Sequence, residues 1–484
     1  MFIKRNNTLD KFSAYFNDLI YKENYESALR EIFFYSYIVF LDPIKNKNYK
    51  SSYFFDNLLC KLSDSFRKSK LYNKKIYSTY NLPSVNFELI IFCSKYQRTG
   101  GHSRIIDDVI DKNPGKKILV LSSELYGDSD HEYFNFKYAQ NPKRIINFYP
   151  SKYLSSIDKL KFFSTMFDKY SKNEIYLLNN NSDPILLSAI NYKKNNANII
   201  YIHHGDYAFS LGATLKFTHY DLNKMQSKCC SNYDFYSHKI YNLYDLSDFK
   251  SNLNIKKYGY KFNSLPNATK INFVVVGNYN KFFPNFFMTD LLRFYLIVLK
   301  KNNNEIFFIG KIPFFVKVFF KFSLLLNNIN PNRAIFIDYS SDLYQTFNDI
   351  EAHVYVTSFP IFGGLSLLSA LSFGLPVLIR GGHKNYFSGI PYLRHNSYLS
   401  WSSLCELRNI INNITPKSIV RYSSLSFKNF KEVFTTSKTK IHKSSKTSKF
   451  DLDKEDYFYK ENTFFKLSFV NKIRILIYYF RSTL

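Results

Sequence analysis

The residues best suited to chemistry lie in three glycine-bearing turns. The first is in Thr357–Gly382, which reads TSFPIFGGLSLLSALSFGLPVLIRGG. An apolar strand end meets the pair Gly363 and Gly364, then a helix, a Gly-Leu-Pro break and a second strand. Lacking Cβ atoms, the two glycines let an anion approach the backbone. The following helix offers unpaired N–H groups and the positive end of its dipole, and Ser366 adds a hydroxyl. Together these groups suit a diphosphate. Tight helix packing also asks for a Gly pair and stands as the plain alternative.

The other two turns carry histidine: Arg98-Thr99-Gly100-Gly101-His102-Ser103-Arg104, and Tyr201–Gly212 with His203, His204 and Asp206. An imidazole, with a pKa near about 6.5, takes a proton from a hydroxyl or neutralises a leaving diphosphate at neutral pH. Asp206 is close enough in sequence to orient His204. A hydrogen bond within the loop is the competing role for His102, His203 and His204. His203, His204 and Asp206 crowd one strand end too tightly to converge on a metal ion, so no metal is expected. Asn180 and Asp183, in LLNNNSDP, either line an acceptor side or cap a helix. Cys229 and Cys230 read as packing.

These turns need parallel strands to hold them. Phe87–Cys93, Lys117–Ser122, Glu174–Leu178 and Asn198–His203 are short apolar runs of the kind buried in parallel sheets. A second series follows: Asn272–Gly277, Glu305–Gly310, Ala334–Asp338, His353–Val356 and Pro376–Ile379. Helical stretches are expected at His102–Asp111, Asp290–Lys300, Asp342–Asn348 and Leu365–Phe373. Strands alternating with helices predict an α/β protein with two Rossmann-like domains in series. The expected boundaries are a helical N-terminal region over 1–85, a Rossmann-like acceptor-side domain over 86–265 and a Rossmann-like nucleotide-binding domain over 266–430. A basic linker and closing helix follow over 431–484. Within that last region Phe464–Phe480 is either a closing helix on the core or a basic amphipathic surface for anionic lipid.

Composition narrows the function class. The 484 residues carry 66 Lys and Arg against 38 Asp and Glu, a net charge of +28. That favours anionic partners. Lys and Arg are spread along the chain without a recognition module, so nucleic acid is not expected. The 50 Phe and 41 Tyr accompany many Asn and Lys, a bias of composition and not a binding signal. Five Cys without a CxxC spacing exclude a disulfide framework and fit a reducing cytoplasm. The N-terminus, MFIKRNNTLDKF, has no apolar signal core. Ile32–Leu41 and the Lys-broken run Ile312–Leu326 are too short to span a bilayer.

Over about 270–395 the sequence resembles glycosyltransferases with two facing Rossmann-like domains, the GT-B fold. It is especially similar to the O-GlcNAc transferase and bacterial cytoplasmic N-glycosyltransferase branch, where a "PFGGGxSxxDALxxGxPVV"-like stretch holds the UDP diphosphate. Gly277-Asn278-Tyr279-Asn280-Lys281 is similar to that branch's "FNK" segment, which implies a phosphate contact for Lys281. Gly381-Gly382-His383 through Ile390 resembles its closing helix. Two Glu of the retaining enzymes are replaced by Ile361 and Ser369, which implies inversion; the tetratricopeptide repeats of O-GlcNAc transferase are absent. The turns at His102 and His203–Gly212 are similar to "GGHTR" and "HHADHxFxLG" stretches of polysaccharide glycosyltransferases.

The resemblance implies an inverting, metal-independent, cofactor-free glycosyltransferase acting on a nucleotide diphosphate sugar, UDP-sugar first, and a hydroxyl acceptor. Lys281, Gly363, Gly364 and Ser366 would hold the diphosphate, with Arg380 or His383 helping to neutralise it. His102, or His204 with Asp206, would serve the reacting centre. The basic excess suits a lipid-linked glycan acceptor at an anionic membrane surface, with the protein cytoplasmic and peripheral to the inner membrane, in O-antigen or capsule assembly. A teichoic-acid-type polymer transferase and a non-catalytic basic membrane- or nucleic-acid-binding protein are the alternatives.

Overall fold

A computed structural model describes residues 7–41, 50–73, 86–98, 101–125, 129–142, 144–151, 153–194, 198–203, 210–221, 239–240, 270–277, 288–301, 303–340, 342–358, 364–380 and 398–435. The chain divides into two compact units, one containing Met1–Leu243 and the other Tyr244–Lys440.

The first unit opens with helices α1 (Asn7–Tyr21), α2 (Tyr25–Leu41), α3 (Lys50–Lys68) and α4 (Lys70–Asn73). Then follow β1 (Leu89–Cys93), α5 (Gly101–Asp111), β2 (Ile118–Ser122), α6 (His131–Lys137), β3 (Ile145–Phe148), α7 (Ser156–Lys169) and β4 (Glu174–Leu178). The unit ends with α8 (Pro184–Ala189), β5 (Ile199–Ile202), β6 (Thr218–Asp221) and β7 (Lys239–Ile240). All strands are parallel, in the order β3-β2-β1-β4-β5-β6-β7.

Strand β1 shows why the central strands read as unbroken apolar runs. Every residue is buried, because both faces of a parallel sheet are covered. Side chains alternate between faces. Ile90 and Phe92 point to one core with Phe16, Leu29, Phe55 and Phe66. Leu89, Ile91 and Cys93 point to another with Ile105, Ile106 and Val109 of α5. The N-terminal helices thus form one layer of the first sheet. Polar contacts lock them there: Arg67 of α3 pairs with Asp168 at 2.7 Å and donates to the Ala189 carbonyl at 2.6 Å.

The second unit runs β8 (Asn272–Val276), α9 (Met288–Lys300), β9 (Glu305–Ile309), α10 (Phe314–Leu326), β10 (Ala334–Ile337), α11 (Leu343–Asp349) and β11 (Val354–Val356). It continues with α12 (Gly364–Phe373), β12 (Val377–Arg380), β13 (Tyr398–Trp401), α13 (Leu404–Asn413) and α14 (Pro416–Thr435). Its six parallel strands lie in the order β10-β9-β8-β11-β12-β13. Counted within the unit, that is 3-2-1-4-5-6, the order of dinucleotide-binding folds. Phe273 and Val275 face one core, Val274 and Val276 the other.

The strands expected from the sequence all form, with ends shifted by a residue or two. Four further strands were not legible. β3 is only partly buried and β6 reads THYD; β7 has two residues and β13 is half-buried in its first two positions. Strands toward the edge of a sheet lose the continuous apolar run that marks central ones. Among the described residues no helix is long and apolar enough to cross a membrane.

Candidate functional site

In each sheet the strand order reverses between the first and fourth strands, and ligands of open α/β sheets bind beyond the carboxyl ends at that reversal. In the second unit this point lies between β8 and β11, which pair in parallel with Val356 opposite Val275. Beyond β8 comes Gly277, at φ +150°, a backbone setting that side chains with a Cβ rarely adopt. Its N–H donates to the Ile309 carbonyl at 2.9 Å. Beyond β11 come Thr357 and Ser358, both buried, and α12 opens at Gly364.

Gly364 and Ser366 therefore occupy the first turn of a ten-residue helix at the reversal of the sheet, where N–H groups lack intrahelical acceptors. Ser366 Oγ lies 2.9 Å from the hydroxyl of Tyr355, a fully buried residue of β11. Burial raises the Tyr355 phenol above its ordinary range, so it stays neutral and holds Ser366 by a hydrogen bond. Arg380 ends β12, and its guanidinium lies 5.4 Å from the ring centroid of Trp401, its partner across to β13. Ser369 is buried in α12. Lys281, Ile361, Gly363 and His383 lie outside the described residues.

In the first unit the reversal lies between β1 and β4. Gly101 and His102 start α5 directly beyond β1, and His102 is buried. Beyond β4, Asp183 is the hub of a buried polar cluster. Its Oδ2 accepts from Ser94 and Ser123, each at 2.7 Å, and its Oδ1 accepts from the Ile185 N–H at 2.9 Å. Asp183 is thus a helix cap and not an acceptor-lining group, and Asn180 accepts from the Ser182 N–H in the same turn. Burial raises the Asp183 carboxyl above its ordinary range, and the two serine hydroxyls offset only part of that rise.

The histidine turn after β5 is held from two sides. His203 Nε2 lies 2.8 Å from His219 Nδ1, and His219 Nε2 lies 2.7 Å from the Leu215 carbonyl. The carbonyl can only accept, so His219 carries its proton on Nε2 and His203 donates to Nδ1. His203 is thereby tied to the neighbouring strand β6. On the far side of the turn, the fully buried carboxylate of Asp56 in α3 accepts from the Gly212 N–H at 2.6 Å, the Thr214 N–H at 2.9 Å and the Thr214 hydroxyl at 2.6 Å. His204 and Asp206 lie outside the described residues, as do Cys229, Cys230 and Phe464–Phe480.

One pair went unread in the sequence. Beyond β2, Glu124 is buried with φ +52°, a strained setting for a residue with a Cβ. Its Oε1 lies 2.9 Å from His131 Nε2 and accepts from Ser122 Oγ at 2.6 Å. Burial pushes the carboxyl up, but His131 and the serine hydroxyls hold it below its ordinary value. His131 stacks on Tyr149 at 3.4 Å between ring centres. The only sequence signal was an acidic residue two positions beyond a buried strand. Among the described residues no group of three His, Cys, Asp or Glu is placed to hold a metal ion.

No protein-family model matches the sequence, and no curated protein does. Solved structures do. Anabaena HepE in complex with UDP and glucose matches 72% of this chain and 95% of its own, with a TM-score of 0.51 at 12% identity. Its complex with UDP-glucose matches 73% and 98%, with a TM-score of 0.50 at 14% identity.

The fold is GT-B. Two Rossmann-like units of a GT-B chain account for both reversed sheets, and the resemblance expected from 270–395 holds at the level of fold. In that GT-B frame Gly277, Gly364 and Ser366 share one sheet edge of the second unit, and His102 takes the corresponding edge of the first.

Proposed function

We propose that the protein is a glycosyltransferase that uses a UDP-sugar as donor. The reading rests on one observation: α12 opens with Gly364 and Ser366 at the strand reversal of the second sheet, beside the positive-φ Gly277. A dipole end and unpaired N–H groups at that point suit a pyrophosphate. HepE, similar in fold, is crystallised with UDP and with UDP-glucose, which supports uridine as the base.

In the proposed reaction an acceptor hydroxyl attacks the anomeric carbon as the bond to the diphosphate breaks, with inversion and without a metal ion. His102, or His204 oriented by Asp206, takes the hydroxyl proton. The helix start, Lys281, and Arg380 or His383 neutralise the departing UDP. The sugar is a hexose or N-acetylhexosamine, and the acceptor a lipid-linked glycan of surface polysaccharide assembly. The net charge of +28 supports work at the cytoplasmic face of an anionic membrane.

Nucleotide titration tests the donor half. UDP should raise the melting temperature, as any ligand that binds only the folded state does, and GDP or CMP should raise it less. Lys281→Ala should weaken UDP binding by roughly tenfold, the scale of one charge-assisted contact. No shift with any nucleotide diphosphate would overturn the reading.

A further inference from the structure

We propose that the solvent face of α10 is a membrane-contact surface that takes anionic lipid. The helix buries Val316, Phe320, Ser323 and Leu324 against the second unit. A helix packed on a sheet ordinarily turns polar residues outward; this one does not. Phe315, Val318, Phe319, Phe322, Leu325 and Leu326 recur at helical spacing along the outer side, with Phe315 and Leu326 each 69% exposed and Phe314, at the first turn, 81% exposed. At roughly 200 Å² per aromatic side chain, the stripe presents on the order of 700 Å² of apolar surface, above the few hundred that a soluble monomer ordinarily shows.

Charge selects the occupant. No Asp or Glu occurs between Glu305 and Asp338. Lys311 is exposed just ahead of the helix, and Lys317 and Lys321 flank the stripe one turn apart. Lys317 is held by Asp338 at 2.6 Å, so Lys311 and Lys321 bracket the apolar face. Long aliphatic stems let such lysines rest on an apolar surface with their charges at a headgroup level. A second copy of the chain would bring like charges together across a two-fold contact, whereas an anionic bilayer attracts them. With 13 residues the helix is about 20 Å long, too short to span, so it lies in the plane of the interface. Its first turn follows β9 and so stands at the same sheet edge as Gly277 and Gly364.

The inference gives a location to the proposed membrane reading, yet vesicle binding is read separately from nucleotide binding, so either can fail alone. The full chain should co-sediment with vesicles of phosphatidylcholine and phosphatidylglycerol, and less with phosphatidylcholine alone or in high salt. The triple variant Phe315→Ser, Phe319→Ser, Phe322→Ser should lose about tenfold or more in vesicle partitioning while keeping its melting temperature and its shift with UDP. Should it fail to fold, Lys311→Glu with Lys321→Glu, which leaves packing untouched, should show the same loss. Wild-type chain that stays in the supernatant, variants that bind like wild type, or equal binding to neutral vesicles would overturn the proposal. So would lipid-free sedimentation showing a dimer that the triple variant dissociates.

Discussion

Asp56 shows how one buried side chain ties the N-terminal helices to a histidine turn. Burial, opposed by the Thr214 hydroxyl and by the Gly212 and Thr214 amides, leaves its carboxyl raised to about 7. The folded protein therefore keeps a proton that the unfolded chain releases near pH 4. A raised acid favours the folded state at low pH, so stability falls as pH climbs from about 4 to about 7 and is level above. Between pH 5 and 7.5 this one group should cost on the order of 2 kcal/mol at 1.36 kcal/mol per pKa unit. Urea unfolding at the two pH values should show that loss in the wild type and lack it in Asp56→Asn. An equal slope in both would mean that Asp56 does not titrate in this range. The sequence offered no hint of this role, because the partners are more than 150 positions apart.

At the scale of elements, the turns after the strands carry the candidate site, and their glycines are set by backbone geometry. Gly212 sits at φ +85°, and a Cβ there would meet Leu187 Cδ2 at 3.0 Å. Gly212→Ala should cost about 1–2 kcal/mol for a side chain in the left-handed region, measured as a lower urea midpoint. A neutral result would show that the turn after β5 relaxes without it. Asp183 teaches the complementary lesson. Its position before Pro184 was compatible with a cap or a lining group in the sequence; in the fold its Oδ1 caps α8 through the Ile185 N–H, while Ser94 and Ser123, just beyond β1 and β2, take up its Oδ2. α10 was visible as an apolar run, but whether its phenylalanines face the core or the solvent depended on what packs against it.

At the scale of the molecule, the described residues of each unit form cores of their own. Ligand stabilisation should then be local. Hydrogen exchange with and without UDP should slow in peptides covering β8, β11 and α12, where the proposed diphosphate contacts lie, since binding lowers the population of local openings. Protection confined to the first unit would move the donor site there and overturn the assignment of Gly364 and Ser366.

Apolar runs of four to seven residues broken by glycine-bearing turns were enough, by themselves, to determine two parallel α/β sheets and the turns beyond their strands. Central parallel strands are buried on both faces, so their signal is local and survives in one dimension. The order of the strands, the pairing of Tyr355 with Ser366, the His203–His219 bond and the outward turn of Phe314, Phe315, Phe319 and Phe322 in α10 were decided only in three dimensions. Each joins segments or faces whose meeting depends on how the layers stack, which no local pattern encodes.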